Sequence, residues 1–186
     1  MKLKLRILYS IVFLLSFFTS VNTVNAEYTW LHYMAEQRSL EDVQAICERY
    51  PQWINTPDKF GNTPLYKAIL KIRTDVAKYL ITQGANVEAQ NKNGDTPLIL
   101  ASSTGNLDLV KYLVENGAEI NALNLSVNSP LNLAVEYQHM DIVQYLVEKG
   151  ADIHIKDYYD STPLHTAILP GNKSIIQFLV EQGADV

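Results

Sequence analysis

Thr162-Pro163-Leu164-His165-Thr166-Ala167 decides how this chain is read, because it is the last of four passages that return at a fixed interval. Thr63-Pro64-Leu65, Thr96-Pro97-Leu98 and Ser129-Pro130-Leu131 come before it, each 33 residues from the next. Between them Ala68, Ala101, Ala134 and Ala167 keep the same step, and so do Gly84-Ala85, Gly117-Ala118, Gly150-Ala151 and Gly183-Ala184. Three series held in one phase are the mark of a repeat whose copies stack on one another.

Each residue type has a physical use at its place. The Thr or Ser hydroxyl caps a first helix, helix A, and Pro occupies its first position, where a missing N–H costs nothing. The small Ala lets neighbouring helices approach closely. A second helix, B, follows, and the Gly after it supplies the left-handed residue that ends it. Val76, Ala77, Leu80 and Ile81 lie on one face of helix B, and Leu109/Val110/Leu113/Val114, Ile142/Val143/Leu146/Val147 and Ile175/Ile176/Leu179/Val180 repeat that stripe. One helix pair cannot bury such a stripe alone, so adjacent pairs share a continuous seam. The expected fold is all-α, an elongated solenoid.

The pattern resembles the ankyrin repeat, with its period of 33 and its Thr-Pro-Leu-His-x-Ala passage followed by a Gly-Ala turn. The resemblance covers Asp58 to Val186. The His survives only as His165, with Tyr66, Ile99 and Asn132 in its place elsewhere, and Val127 stands where Gly61 and Gly94 stand in other copies. The resemblance implies a solenoid of helix-turn-helix units joined by hairpin loops. It divides the chain into a leader, 1–26, a degenerate first repeat, 27–57, three repeats at 58–90, 91–123 and 124–156, and an incomplete one at 157–186. In the first unit His32, Ala35, Val43 and Ile54 fall 33 residues before Leu65, Ala68, Val76 and Val87, without Thr-Pro or the Gly turn. It is expected to act as a cap, with Trp53 closing the end of the core.

The leader has its own composition. Lys2, Lys4 and Arg6 precede the apolar run from Ile7 to Phe18, and Val24-Asn25-Ala26 supplies small residues for cleavage between Ala26 and Glu27. An uncleaved anchor is the rival reading, but Ser20, Asn22, Thr23 and Asn25 end the run short of the roughly 20 apolar residues a spanning helix needs. The expected location is periplasmic or secreted. The chain carries 15 Lys and Arg against 20 Asp and Glu, and loss of the three leader cations moves its formal charge from −5 to −8. That balance argues against nucleic acid and against anionic membrane surfaces. Cys47 is the single cysteine, so no internal disulfide can form.

No pairing of nucleophile and base, no carboxylate dyad and no phosphate-cradling loop stands out, so the chain is expected to be no enzyme and to need no cofactor. His139 and His154 lack a second ligand at metal spacing, and no metal site is expected. By resemblance the His165 ring has a structural place near its hairpin. Cys47 aligns with Leu80 and should be a buried apolar residue. Asp75, Asp108 and Asp141 sit where acids favour a helix start. Tyr79, Tyr112, Tyr145 and Phe178 form a column read as packing rather than as a binding strip. Asn124-Leu125-Ser126 and Asn172-Lys173-Ser174 would accept glycans only in a eukaryotic secretory pathway.

Repeat solenoids use an extended concave face, built from hairpin tips and helix A surfaces, to bind other proteins. By resemblance the positions that vary with the partner include Lys59, Phe60, Asn62, Leu70 and Lys71 and their equivalents, down to Tyr158, Tyr159, Ser161, Leu169 and Pro170. Large exposed aromatics carry most binding energy. The candidate contact residues are therefore Tyr137, Tyr158 and Tyr159, expected to form one patch, with Phe60 a weaker contributor. The alternatives are an architectural stabiliser of an envelope complex, or part of a secreted effector whose activity is encoded elsewhere. The apolar stripe of the last helix B should stay partly exposed and offers a surface for self-association.

Overall fold

The computed structural model describes residues 23–185, with side chains from Trp30 onward. The leader reading therefore lies largely outside the described residues. The cleavage bond Ala26–Glu27 falls in the first turns of helix α1, Thr23–Gln37, ahead of the described side chains.

Five helix pairs follow in order: α1 with α2 (Leu40–Arg49), α3 (Pro64–Leu70) with α4 (Thr74–Thr82), α5 (Pro97–Thr104) with α6 (Leu107–Glu115), α7 (Pro130–Glu136) with α8 (Met140–Glu148), and α9 (Pro163–Ile168) with α10 (Lys173–Glu181). No strand is present among the described residues. Each first helix packs on the first helix of the next pair, and each second on the second, so the molecule is two parallel rows of helices. The all-helical solenoid expected from the repeat is what the chain forms.

The local chemistry behaves as its residue types demand. The hydroxyls of Thr63, Thr96 and Ser129 accept the backbone N–H of Tyr66, Ile99 and Asn132 at 3.3, 3.3 and 3.1 Å, and Pro opens every helix A of these repeats. Helix B ends where Gly84, Gly117, Gly150 and Gly183 reach φ of 89 to 92°. There the following Ala N–H reaches back to Leu80, Leu113, Leu146 and Leu179 at 2.9 to 3.0 Å. Asp75, Asp108 and Asp141 occupy the first turn of their helices.

The four alanines are fully buried between rows, and the helix B stripe forms the seam: Val76, Leu80, Leu109, Leu113, Ile142, Leu146, Ile175 and Leu179 are all closed to solvent. Burying such a side chain stabilises the fold by about 1.5–3 kcal/mol, and cutting one to Ala costs about 2–5 kcal/mol. In the fifth pair Val180, Ile168 and Leu169 are exposed. At the other end Leu31, Met34, Val43, Ile46, Cys47 and Ile54 are buried, and Trp53, half-buried, stacks on Tyr50 with ring centroids 4.0 Å apart. Cys47 is a free, buried thiol that burial pushes up to about 11, which leaves it unreactive at neutral pH. The column Tyr79, Tyr112, Tyr145 and Phe178 packs against the core, with Lys78 over Tyr112 and Lys111 over Tyr145 at 5.2 and 5.6 Å.

Candidate protein-binding groove

Between successive helix pairs the chain makes a short finger opened by Asp58, Asn91, Asn124 or Asp157. In each finger the opening residue's Oδ1 accepts two backbone N–H groups, those of Phe60 and Asn62, Asn93 and Asp95, Ser126 and Asn128, or Tyr159 and Ser161, at 2.8 to 3.0 Å. These four residues also step by 33. They hold every tip in shape, and the series was visible in the sequence as a fourth phase.

The first three fingers are stitched together. Lys92 N–H donates to Phe60 O and Leu125 N–H to Asn93 O, both at 2.9 Å. Asn91 Nδ2 donates to Asn62 Oδ1 at 3.4 Å, and Asn124 Nδ2 to Asp95 Oδ1 at 2.8 Å. The fourth finger lacks both stitches: among the described residues no bond joins Tyr158 N–H to Ser126 O, and Asp157 has no side-chain N–H to give. The cause lies one residue further on. A Cβ placed on Gly61 would stand 2.9 Å from Lys92 N, and one on Gly94 2.9 Å from Leu125 N. Finger three carries Val127 at this position, with φ of 59°, so its real Cβ holds the fourth finger off.

The separation opens a groove of about 750 Å³, lined by Leu125, Tyr158, Tyr159, Leu169 and Pro170 on its apolar sides and by Asn132, Glu136, Asp157 and His165 among its polar ones. Tyr158 and Tyr159 are 79% and 83% exposed, and their rings meet edge to face at 5.6 Å. At that exposure neither is buried against a neighbouring finger.

The remaining candidates are placed elsewhere. Tyr137 is 55% exposed at the end of α7, but its ring stacks on His139 at 6.5 Å and does not line the groove. The structure thus joins Tyr158 and Tyr159 with Leu125 and Leu169 rather than with Tyr137. Phe60 is exposed on the first finger, with Lys59 Nζ 4.8 Å above its ring. Asn62 is buried, and its Nδ2 donates to Asp58 Oδ2 at 3.2 Å within its own finger.

Two of the four histidines, His165 and His139, serve the scaffold. His165 Nδ1 accepts the backbone N–H of Thr162 at 3.3 Å and the Thr162 hydroxyl at 2.8 Å, which leaves the ring proton on Nε2. Asn132 does the same task in repeat three, its Oδ1 accepting Ser129 N–H and Oγ–H at 3.2 and 2.6 Å. His139 Nε2–H donates to Ser103 O at 3.1 Å, and its ring fills the space beside Gly105. Both candidate glycan acceptors are engaged: Asn124 holds its finger, and Asn172 Oδ1 caps α10 by accepting Ile175 N–H at 3.3 Å.

Among the described residues no group of three or more His, Cys, Asp or Glu is placed to hold a metal, and no helix is long and apolar enough to cross a membrane. Stacked helix pairs joined by fingers define a helical repeat protein. The family model described as ankyrin repeats (3 copies) matches residues 31–124 and 123–186, and the chain belongs to the ankyrin-repeat family. No curated protein matches it. Ankyrin repeats are generally protein-binding modules, typically without enzymatic activity.

Proposed function

We propose that the chain is an exported protein-binding module, acting in the periplasm or outside the cell, that holds its partner on the finger and helix A side around the groove between the third and fourth fingers. One observation carries the placement of the site. The two exposed tyrosines of the fourth finger stand over the break in an otherwise stitched row of fingers. Large amphipathic rings held open to solvent over an apolar groove are what binding hot spots are made of. Export rests on the basic start, the apolar run and Val24-Asn25-Ala26.

The test is photocrosslinking in cells with a light-activated residue at position 158, compared with one at Gln177 on the exposed side of α10. The reading requires a protein adduct from 158 and none from 177. Adducts of equal yield from both positions, or from 177 alone, refute it. Mass spectrometry of the same material should give Glu27 as the N-terminus, and full-length chain in the cytoplasm would refute export.

A further inference from the structure

The repeats of this chain carry a template for what the groove takes. Asp58 in repeat one and Asp157 in repeat four are equivalent, and only these two of the four finger-opening residues are acids. In repeat one the carboxylate has a cation of its own: Lys67 Nζ lies 3.0 Å from Asp58 Oδ2, both groups largely shielded from solvent. Repeats two and three pair a neutral Asn91 or Asn124 with Leu100 or Leu133 at the Lys67 position. Repeat four restores the acid but not the lysine. Thr166 stands in its place, and its hydroxyl turns back to Thr162 O at 3.4 Å. Asp157 Oδ1 is occupied by two N–H groups, and among the described residues no Lys or Arg lies within ion-pair distance of Oδ2.

Two further features face the same space. Glu136 lines the groove with Asp157, and no Lys or Arg is among the lining residues. Asn132, 2% exposed and also lining it, has its Oδ1 committed to Ser129 while its Nδ2 is buried without a hydrogen-bond partner. A buried donor of this kind lacks only an acceptor.

We propose that the groove binds an extended peptide segment of the partner in which a lysine adjoins a bulky apolar side chain. The ammonium takes the place at Asp157 Oδ2 that Lys67 takes at Asp58, with Glu136 as its second anion. The apolar side chain lies between the Tyr158/Tyr159 pair and Leu125 with Leu169, and a peptide carbonyl accepts from Asn132 Nδ2. This deepens the binding-module reading and rests on it.

The probe is a short Gly/Ser peptide with a central Leu-Lys pair, set against the same peptide with uncharged norleucine in place of Lys. Binding to the full chain is followed by amide chemical shifts at Leu125, Tyr158 and Leu169. The Lys peptide should bind about fivefold tighter, a preference that shrinks at high salt. Thr166→Lys, which gives repeat four the residue repeat one already tolerates, should bring the ratio to about one by filling the slot from within. Should that variant fail to fold, Asp157→Asn carries the same test, since Asn91 and Asn124 keep the two N–H bonds. Equal affinities in the wild type, or a preference that survives the substitution, overturn the lysine inference while groove shifts still uphold the binding site. No shift at these amides with either peptide overturns both. A dimer that Thr166→Lys abolishes would assign the groove to a second copy of this chain and overturn the peptide reading.

Discussion

Replacing Val127 by Gly should make the protein more stable and close its groove. Val127 is a β-branched residue held at φ of 59°, in the left-handed region, which costs about 1–2 kcal/mol for a side-chain-bearing residue. Glycine removes that cost but loses about 0.5–1 kcal/mol to the greater freedom of the unfolded chain. Without the Cβ, finger four can approach as fingers two and three do, where N–H···O bonds of 2.9 Å span the tips, and one new bond contributes about 1 kcal/mol. The half-buried Val side chain is lost in exchange, a debit below about 1 kcal/mol. The net is a gain near 1 kcal/mol, or a Tm rise of roughly 2–4 °C for a chain of this size. Thermal unfolding followed by circular dichroism measures the first effect and hydrogen exchange at the Tyr158 amide the second. Partner affinity should fall because the groove narrows. A Tyr158 amide that exchanges as fast as before, together with a lower Tm, would show that Val127 does not hold the fingers apart.

Gly94→Val is the mirror experiment and should cost about 2–3 kcal/mol in urea unfolding, from left-handed strain and loss of the Leu125 N–H bond. Burial alone would raise the Asp58 carboxyl, but Lys67 and the N–H groups of Asn62 and Phe60 outweigh it and hold it at about 2, below its ordinary 3.8. A depressed carboxylate stabilises the fold above pH 4 and loses that contribution as pH falls toward 2. Asp58→Asn should therefore cost up to about 2 kcal/mol at neutral pH, a cost that shrinks below pH 4 and vanishes only below pH 2, read from urea midpoints across pH. At the other end, Val180→Lys with Leu169→Glu should raise solubility without loss of helix if that edge is free, and should dissociate any dimer built on it, as light scattering would report.

The solenoid was legible because its signals are periodic. Caps, small residues, stripes and Gly turns each recur at 33, and stacking makes one residue's environment the same in every copy. The packing roles of Cys47 and the Tyr79 column followed from that register alone. The groove was half legible. Val127 stood out as a departure from Gly61 and Gly94, but its consequence depends on how closely two backbones pass, which a sequence does not state. Tyr158 and Tyr159 were legible as exposed aromatics at variable positions. Tyr137 looked equivalent, yet its ring turns to His139, a choice made by side-chain packing rather than by spacing. Leu125 and Leu169 hold positions that vary with the partner in the resemblance, but each alone is an ordinary surface leucine that carries no signal. The Asp58/Asp157 pairing needed the Lys67 contact before the absence of a lysine at Thr166 acquired meaning.

On the proposed function the partner is held at the break between the third and fourth fingers. Titration calorimetry of the captured partner against Tyr158→Ala/Tyr159→Ala and, separately, Tyr137→Ala tests it most directly. Each groove tyrosine should cost about 1–2 kcal/mol or more, so the double variant should lose at least tenfold in affinity with its helical content intact. Tyr137→Ala, outside the groove, should lose much less. Unchanged affinity in the double variant, or a larger loss from Tyr137→Ala than from the pair, would contradict the account.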